Sequence, residues 1–427
     1  MPDQGASSGT GAVNGDAGGG HGAGGNGDEG HEGRADFVAR VKRTVMDGLQ
    51  SEPLRTISKP REQETVADNA DKYAAITNVE HVASYSWVDV DAPTIAVPGS
   101  PRLWAPPSLP VTVPADEGRG FIDQNGFRLE KHALVPLFAA ADACGAALDW
   151  GTVDVVTDRN NLLKLLSWIA PGCAKSKHRS GFRIDVALAG TRTLLMRRWE
   201  ARPVVYGSRG YGDGFERAFS RGVLGSSVRG TLAGHNRVVS YDFDGLRIVV
   251  RYEVDAYHVP AQSPVDALAG QLSTLAVAPA PDNSAPDVSA IVGVERAGEI
   301  IPQTSLVKMK SRSRTSKSQF LEAAYLQLHL GQIPAICIGV HDGKGTFNMV
   351  DILSYHSERF YTAREKARAP LRRLRRLLED IRDVIKERGP DVQLSLVFRE
   401  GELLLMQRGD DDAILPPALL RRFKNEV

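Results

Sequence analysis

Residues 237–257 read RVVSYDFDGLRIVVRYEVDAY, and this stretch decides the fold. Asp244-Gly245 is a strong two-residue turn pair, so the arms Arg237–Tyr241 and Leu246–Tyr257 predict a β-hairpin. In the second arm Ile248, Val250, Tyr252 and Val254 alternate with Glu253 and Asp255. Side chains on a strand alternate between faces, so both carboxylates share one face and the apolar set takes the other. Two like charges side by side are costly unless a cation neutralises them. Mg²⁺ or Mn²⁺ is the usual reason for such a pair, and two-metal sites clamp the attacking and leaving oxygens in phosphoryl transfer. An exposed strand face with ordinary acids explains the pair as well, and for the pair alone it is the better explanation.

Outward from the hairpin, strands and helices interleave. Val153, Val155 and Val156 predict a short strand running into an apolar helix around Leu162–Leu166, with Arg159 at the junction. Arg183–Leu188 and Leu194–Trp199 read as strands. Gly207–Gly214 is a Gly-rich turn with a helix starting near Asp213, which puts Glu216 in its first turn. Ser305–Lys310 predicts a strand with Lys308 and Lys310 on one face, and Gln319–Leu330 a helix that carries Gln327. Strands at Ala335–Val340 and Thr346–Ser354 flank Asp342-Gly343, and a hairpin closes around Glu400-Gly401. Leu371, Leu374, Leu378, Ile381 and Ile385 mark a helix over Pro370–Arg388, with the proline in its first turn and separating it from any helix before it. Hairpins exclude a purely parallel sheet, so the class is mixed α/β.

Three units follow from composition. Residues 1–35 are a Gly-rich tail with almost no large apolar side chains, too poor in burial to offset ordering entropy, and disorder is expected. Residues 36–120 comprise an amphipathic helix (Phe37, Val41, Val45, Leu49), a polar irregular stretch over 51–80, and a Pro-rich segment, SYSWVDVDAPTIAVPGSPRLWAPP, expected to wrap the domain with few ladders. Residues 121–427 form the main domain, with a Pro/Ala/Ser-rich surface insertion at 259–290. No secretory signal is present, and no apolar run is long enough to span a bilayer. Cys144, Cys173 and Cys337 have neither disulfide nor zinc spacing, which fits the cytosol or nucleus.

The 427 residues carry 52 basic and 52 acidic groups, a net charge of zero, so charge is informative only locally. Basic residues crowd Arg192–Arg237 and Lys308–Lys317. The run APLRRLRRLLEDIR fits a nuclear-localisation or RNA-backbone patch, and more readily the solvent face of an amphipathic helix. The Asp410–Asp412 cluster lies outside a helical pattern, unlike the Asp-rich helices of isoprenoid synthases. No Gly-Lys-Ser/Thr follows the Gly-rich turn, which excludes a P-loop.

Singly, each motif has a structural explanation: Glu216 favours a helix dipole, and Lys308 with Lys310 is a common edge-strand device. In order they resemble the DXO/Rai-type family of decapping and RNA 5′-end nucleases, and the Ser-Tyr-x-Trp and Pro-Thr-Ile-x-Val-Pro-Gly segments look like a fungal branch of it. The match runs from about Val153 to Arg408. It implies a fold similar to PD-(D/E)XK nucleases, a central mixed sheet flanked by helices. It also implies that Arg159 contacts the RNA 5′ end, Glu216 and Asp255 bind metal, Glu253 (close by) and the lysine Lys310 are catalytic, and Gln327 binds the substrate. The cofactor implied is Mg²⁺ or Mn²⁺. The partners implied are an RNA 5′ end and, as for some members, a 5′ exonuclease protein, with no membrane.

One position departs from the pattern. Lys308 stands where the family has a metal-binding glutamate, a change from −1 to +1 within a divalent-cation site. Such an ammonium repels Mg²⁺ and is expected to pair with Asp255 or Glu216, weakening the site. Two functions follow. One is a metal-dependent hydrolase on RNA 5′ ends, which removes incomplete or unusual caps and degrades onward as an exonuclease. The other is an inactive relative that binds RNA or a protein through the same cleft.

Overall fold

The computed structural model describes residues 43–61, 74–117, 119–172, 181–206, 210–223, 228, 230–259, 288–316, 320–410 and 412–424. The expected tail (1–35), Phe37 and Val41, Cys173, Lys317 and most of the expected insertion (260–287) lie outside them.

The hairpin forms as the sequence predicts. Asp244 and Gly245 both have positive φ (51° and 87°), and Asp242 accepts a 2.7 Å hydrogen bond from the Gly245 N–H. The arms Thr231–Phe243 and Leu246–Val254 pair in continuous register from His235–Val254 to Phe243–Leu246. They sit inside an eleven-stranded mixed sheet. On one side the order runs outward through Val155–Asp158, Thr193–Trp199, Phe182–Ala189, Leu394–Arg399, Glu402–Arg408 and Leu49–Ile57. On the other it runs through Ile76–Asp89, Thr94–Gly99 and Gly293–Gly298. The pairings of Val155–Asp158 with both its neighbours are parallel, which makes the sheet mixed as expected.

A second sheet of seven strands is ordered Ser220–Arg221, Arg102–Trp104, Ala256–Tyr257, Leu306–Ser313, Ala335–His341, Thr346–Ser354, Val111–Thr112. The chain passes from the first sheet to the second at Asp255, between Val254 and Ala256. One core lies on the face of the large sheet that carries Ile248, Val250, Tyr252 and Val254, and contains Leu162, Leu328 and Leu374. These come from the helices Arg159–Ile169, Phe320–Gly331 and Tyr361–Arg388. The opposite face packs on the helix Val135–Ala143, which buries Leu137 and Phe138. The architecture is mixed α/β, large sheets flanked by helices.

Several expectations fail for identifiable reasons. Val45 is in a turn and Leu49 opens a strand, because that strand finds an antiparallel partner in Glu402–Arg408, far off in sequence. The stretch read as irregular contributes Leu49–Ile57 and the start of Ile76–Asp89. The Pro-rich segment is laddered: Ile76–Asp89 pairs with Thr231–Phe243 along most of its length, and Trp87 is fully buried. Prolines signalled breaks there, but Pro98 lies near the end of a short strand, past the residues that pair with Ile76–Asp89. Pro370 sits inside a continuous helix from Tyr361 to Arg388, buried against the core, and that burial outweighs the lost backbone hydrogen bond. Among the described residues no helix is long and apolar enough to cross a membrane.

His329, buried in the Phe320–Gly331 helix, has its pKa pushed down to about 4 by desolvation. The unfolded chain takes up that proton near pH 6.5 and the folded chain only near 4. Stability is therefore full above 6.5 and falls between 6.5 and 4, with a slope of up to about 1.4 kcal/mol per pH unit from this group. Urea titrations across this range should show the loss, and His329→Leu should reduce it by this group's share, leaving that of His81 and His235, which burial also holds down.

Candidate active site

The charged residues singled out in the sequence gather where the two sheets meet. Asp255, at the crossing, is held on both oxygens: the Lys308 ammonium lies 2.5 Å from Oδ1 and the Met309 N–H donates to Oδ2 at 2.6 Å. Both side chains are buried, at 5% and 9% exposure for Asp255 and Lys308, so the pair is screened little by water. Lys308, Lys310 and Arg312 share one face of the Leu306–Ser313 strand by period, while Met309 turns into a small core with Phe215, Phe219 and Phe347.

That small core positions Glu216. The helix Gly212–Phe219 buries Phe215 and Phe219 completely, each worth roughly 1.5–3 kcal/mol, and Phe215 stacks on Phe347 at 5.0 Å. Its first turn is capped from a distance: Asp116 accepts from the Gly212 N–H at 2.7 Å and the Gly214 N–H at 2.9 Å. Glu216 is thereby left half-buried next to the other charges. Burial, then the negative charge of Asp255, push its pKa up to about 8 against the pull of Lys308. Lys310 is pulled down to about 8, chiefly by the Lys308 charge and then by burial. Glu253 stays open to solvent, yet desolvation and Asp255 raise its carboxyl pKa, with Lys308 opposing.

Arg159 opens the helix Arg159–Ile169 and is 8% exposed. Its Nη1 donates to the Gln327 carbonyl at 3.2 Å, and its guanidinium lies 4.8 Å from the centroid of the Tyr252 ring. A Cβ on Gly331 would come within 2.7 Å of Nη1, so any larger residue there would push the guanidinium aside. Asp158 makes no side-chain cap, because Arg251 takes both its oxygens at 2.6 and 2.9 Å. Gln327 thus meets Arg159 through its main chain. Sequence reasoning missed Tyr252, filed among the apolar positions, and Gly331 and Asp116, which have no local signature.

The arrangement does not fit a divalent ion. Both oxygens of Asp255 are already bonded, one by a cation, and among the described residues no three His, Cys, Asp or Glu side chains form a metal-holding group.

Residues 55–403 match the family described as Domain of unknown function (DUF8563), and the chain belongs to it. No curated protein sequence matches the chain. Among solved structures it is similar to Candida albicans Rai1 in complex with pU5-Mn²⁺, at 11% identity and a TM-score of 0.52, over 88% of this chain and 98% of the other. It is also similar to a mutant S. pombe Rai1 in complex with 3′-FADP, at 14% identity and a TM-score of 0.52, covering 79% and 96%. Scheffersomyces stipitis Rai1 in complex with (3′-NADP)⁺ and calcium gives 12%, 0.52, 87% and 96%. The fold is that of the Rai1 proteins.

Lys308→Met strips the buried Asp255 of its cation and should cost about 3–5 kcal/mol, read from urea melts. Asp255→Asn added to it should recover much of the loss. If Lys308→Met melts like the parent protein, the pair contributes nothing to holding the sheets together.

Proposed function

We propose that this chain binds RNA 5′ ends in the cleft between the sheets and that Lys308 takes the place of a divalent cation, so that hydrolysis is suppressed. The observation that carries this reading is the Lys308 ammonium on Asp255. Arg159 spends Nη1 on a neutral carbonyl and is bonded to no carboxylate among the described residues, which leaves guanidinium N–H groups for a terminal phosphate. Lys310 adds positive charge beside it. The fold likeness to Rai1 structures in complex with pU5 and with 3′-FADP supports a nucleotide ligand. A nuclear or cytoplasmic location and a 5′ exonuclease partner belong to this same proposal.

The second reading is a working hydrolase, dependent on Mg²⁺ or Mn²⁺, which removes incomplete or unusual caps. It is favoured by the persistence of Glu216, Glu253 and Lys310 in one electrostatic cluster, with Lys310 titrating near neutrality as a group that positions water should.

Binding of 5′-monophosphate and capped RNAs, followed by fluorescence anisotropy, separates the two. The first reading expects affinity unchanged by EDTA, falling as KCl rises, and at least about tenfold weaker in Arg159→Ala, a loss of about 1.4 kcal/mol. It expects no cleavage by the parent protein in Mn²⁺ and measurable cleavage by Lys308→Glu. Cleavage by the parent protein, or binding abolished by EDTA, overturns it in favour of the second.

A further inference from the structure

Six arginines of the described residues are almost fully buried: Arg159, Arg183, Arg197, Arg237, Arg251 and Arg408. Four of them are ion-paired, with Asp185, Asp158 or Asp410. That is the expected state, since a buried charge without a counter-charge is heavily penalised. The two exceptions are Arg159, the candidate RNA contact, and Arg237.

Arg237 is only 1% exposed. Its Nε donates to Gln303 Oε1 at 3.2 Å and its Nη2 to the Ile301 carbonyl at 2.7 Å, both neutral acceptors. Its Nη1 is buried and has no partner. The orphan atoms continue around it. Ser84 pairs across the strands with Arg237, and Ser86 with His235, so these four side chains share one face, about 5 Å apart across each pair. Ser84 Oγ and His235 Nε2 are buried without partners, and so is Nε2 of His81, which lies close enough to feel the Arg237 charge. Ser86 Oγ lies 3.0 Å from His235 Nδ1 and, at the longer distance of 3.4 Å, can donate to the Ser100 carbonyl instead. When that hydroxyl donates to Nδ1, the hydrogen of the imidazole sits on Nε2, which then becomes a donor.

The geometry points to a buried oxyanion site between the strands Ile76–Asp89 and Thr231–Phe243 and the covering segment 301–305, with Arg237, Ser84 and His235 as donors and phosphate or sulfate as the ligand class. The reasons are the missing counter-charge and the set of donors. Burial lowers the Arg237 pKa and the guanidinium in turn helps hold His235 neutral, the electrostatics of a site short of negative charge. Water could satisfy the hydrogen bonds but would not neutralise the guanidinium. Tyr252 neighbours both arginines, but Arg159 supplies none of the donors, so the proposal stands or falls without the RNA reading.

The test is thermal unfolding of the full chain in sodium phosphate against sodium chloride at matched ionic strength. The parent protein should show a saturable rise of roughly 2–4 °C with phosphate. Arg159→Ala should keep it, because that arginine supplies none of the proposed donors. Arg237→Met should abolish it. Ser84→Ala removes an atom that bonds to no protein group and should reduce the rise while leaving the fold intact, so the test survives if Arg237→Met does not fold. Sodium sulfate in place of phosphate separates the two ligands: the one that acts at lower concentration is the better fit. No saturable rise in the parent, a rise unchanged in Ser84→Ala, or a rise lost in Arg159→Ala overturns the proposal.

Discussion

The contact between Lys308 and Asp255 sits at the one place where both sheets, the hairpin and the candidate site share a residue. Asp255 is where the chain leaves the large sheet for the small one. Its carboxylate is fixed by a side chain and a backbone N–H from the same strand of the second sheet. A buried carboxylate at such a crossing needs a positive partner, and the Lys308 ammonium is one. The neighbouring titrations follow from this. Lys308 is the largest influence on Lys310 and a restraining one on Glu216 and Glu253.

The same logic runs through the large sheet. A chain of zero net charge buries arginines against aspartates: Asp185 takes Arg183 and Arg197, and Asp158 takes Arg251 in a two-pronged contact. The second of these pairs lies directly before Arg159 and replaces a conventional helix cap. Ion pairing of the structural arginines is what makes the two unpaired ones stand out, and both proposals rest on those two guanidinium groups.

What the sequence made legible was local. The Asp244-Gly245 turn and the Arg159 junction need only neighbours in the chain and are as expected, whereas the arm expected to run on to Tyr257 ends at Val254 and leaves Asp255 outside the strand, where the chain crosses to the second sheet. The pairing of Lys308 with Asp255 was one of two expected partners and is the one formed. What stayed hidden depended on distant partners. Leu49 looks helical until Arg408 is opposite it, and Pro370 looks like a helix start until its ring is seen in the core. Tyr252 reads as one more apolar position until Arg159 stacks on it. Arg237 lay inside a basic stretch, and nothing in the sequence separates a solvated arginine from one with no counter-charge.

The central claim is that a lysine occupies the place of a divalent ion. Titration of Mn²⁺ into the full chain, followed by the electron paramagnetic resonance signal of the free ion, tests it most directly. The account predicts that free Mn²⁺ rises in step with the amount added, with no stoichiometric uptake, and that uptake appears when Lys308 is replaced by glutamate. One or two ions taken up tightly by the unaltered protein, and lost on removal of Glu216 or Asp255, would contradict it.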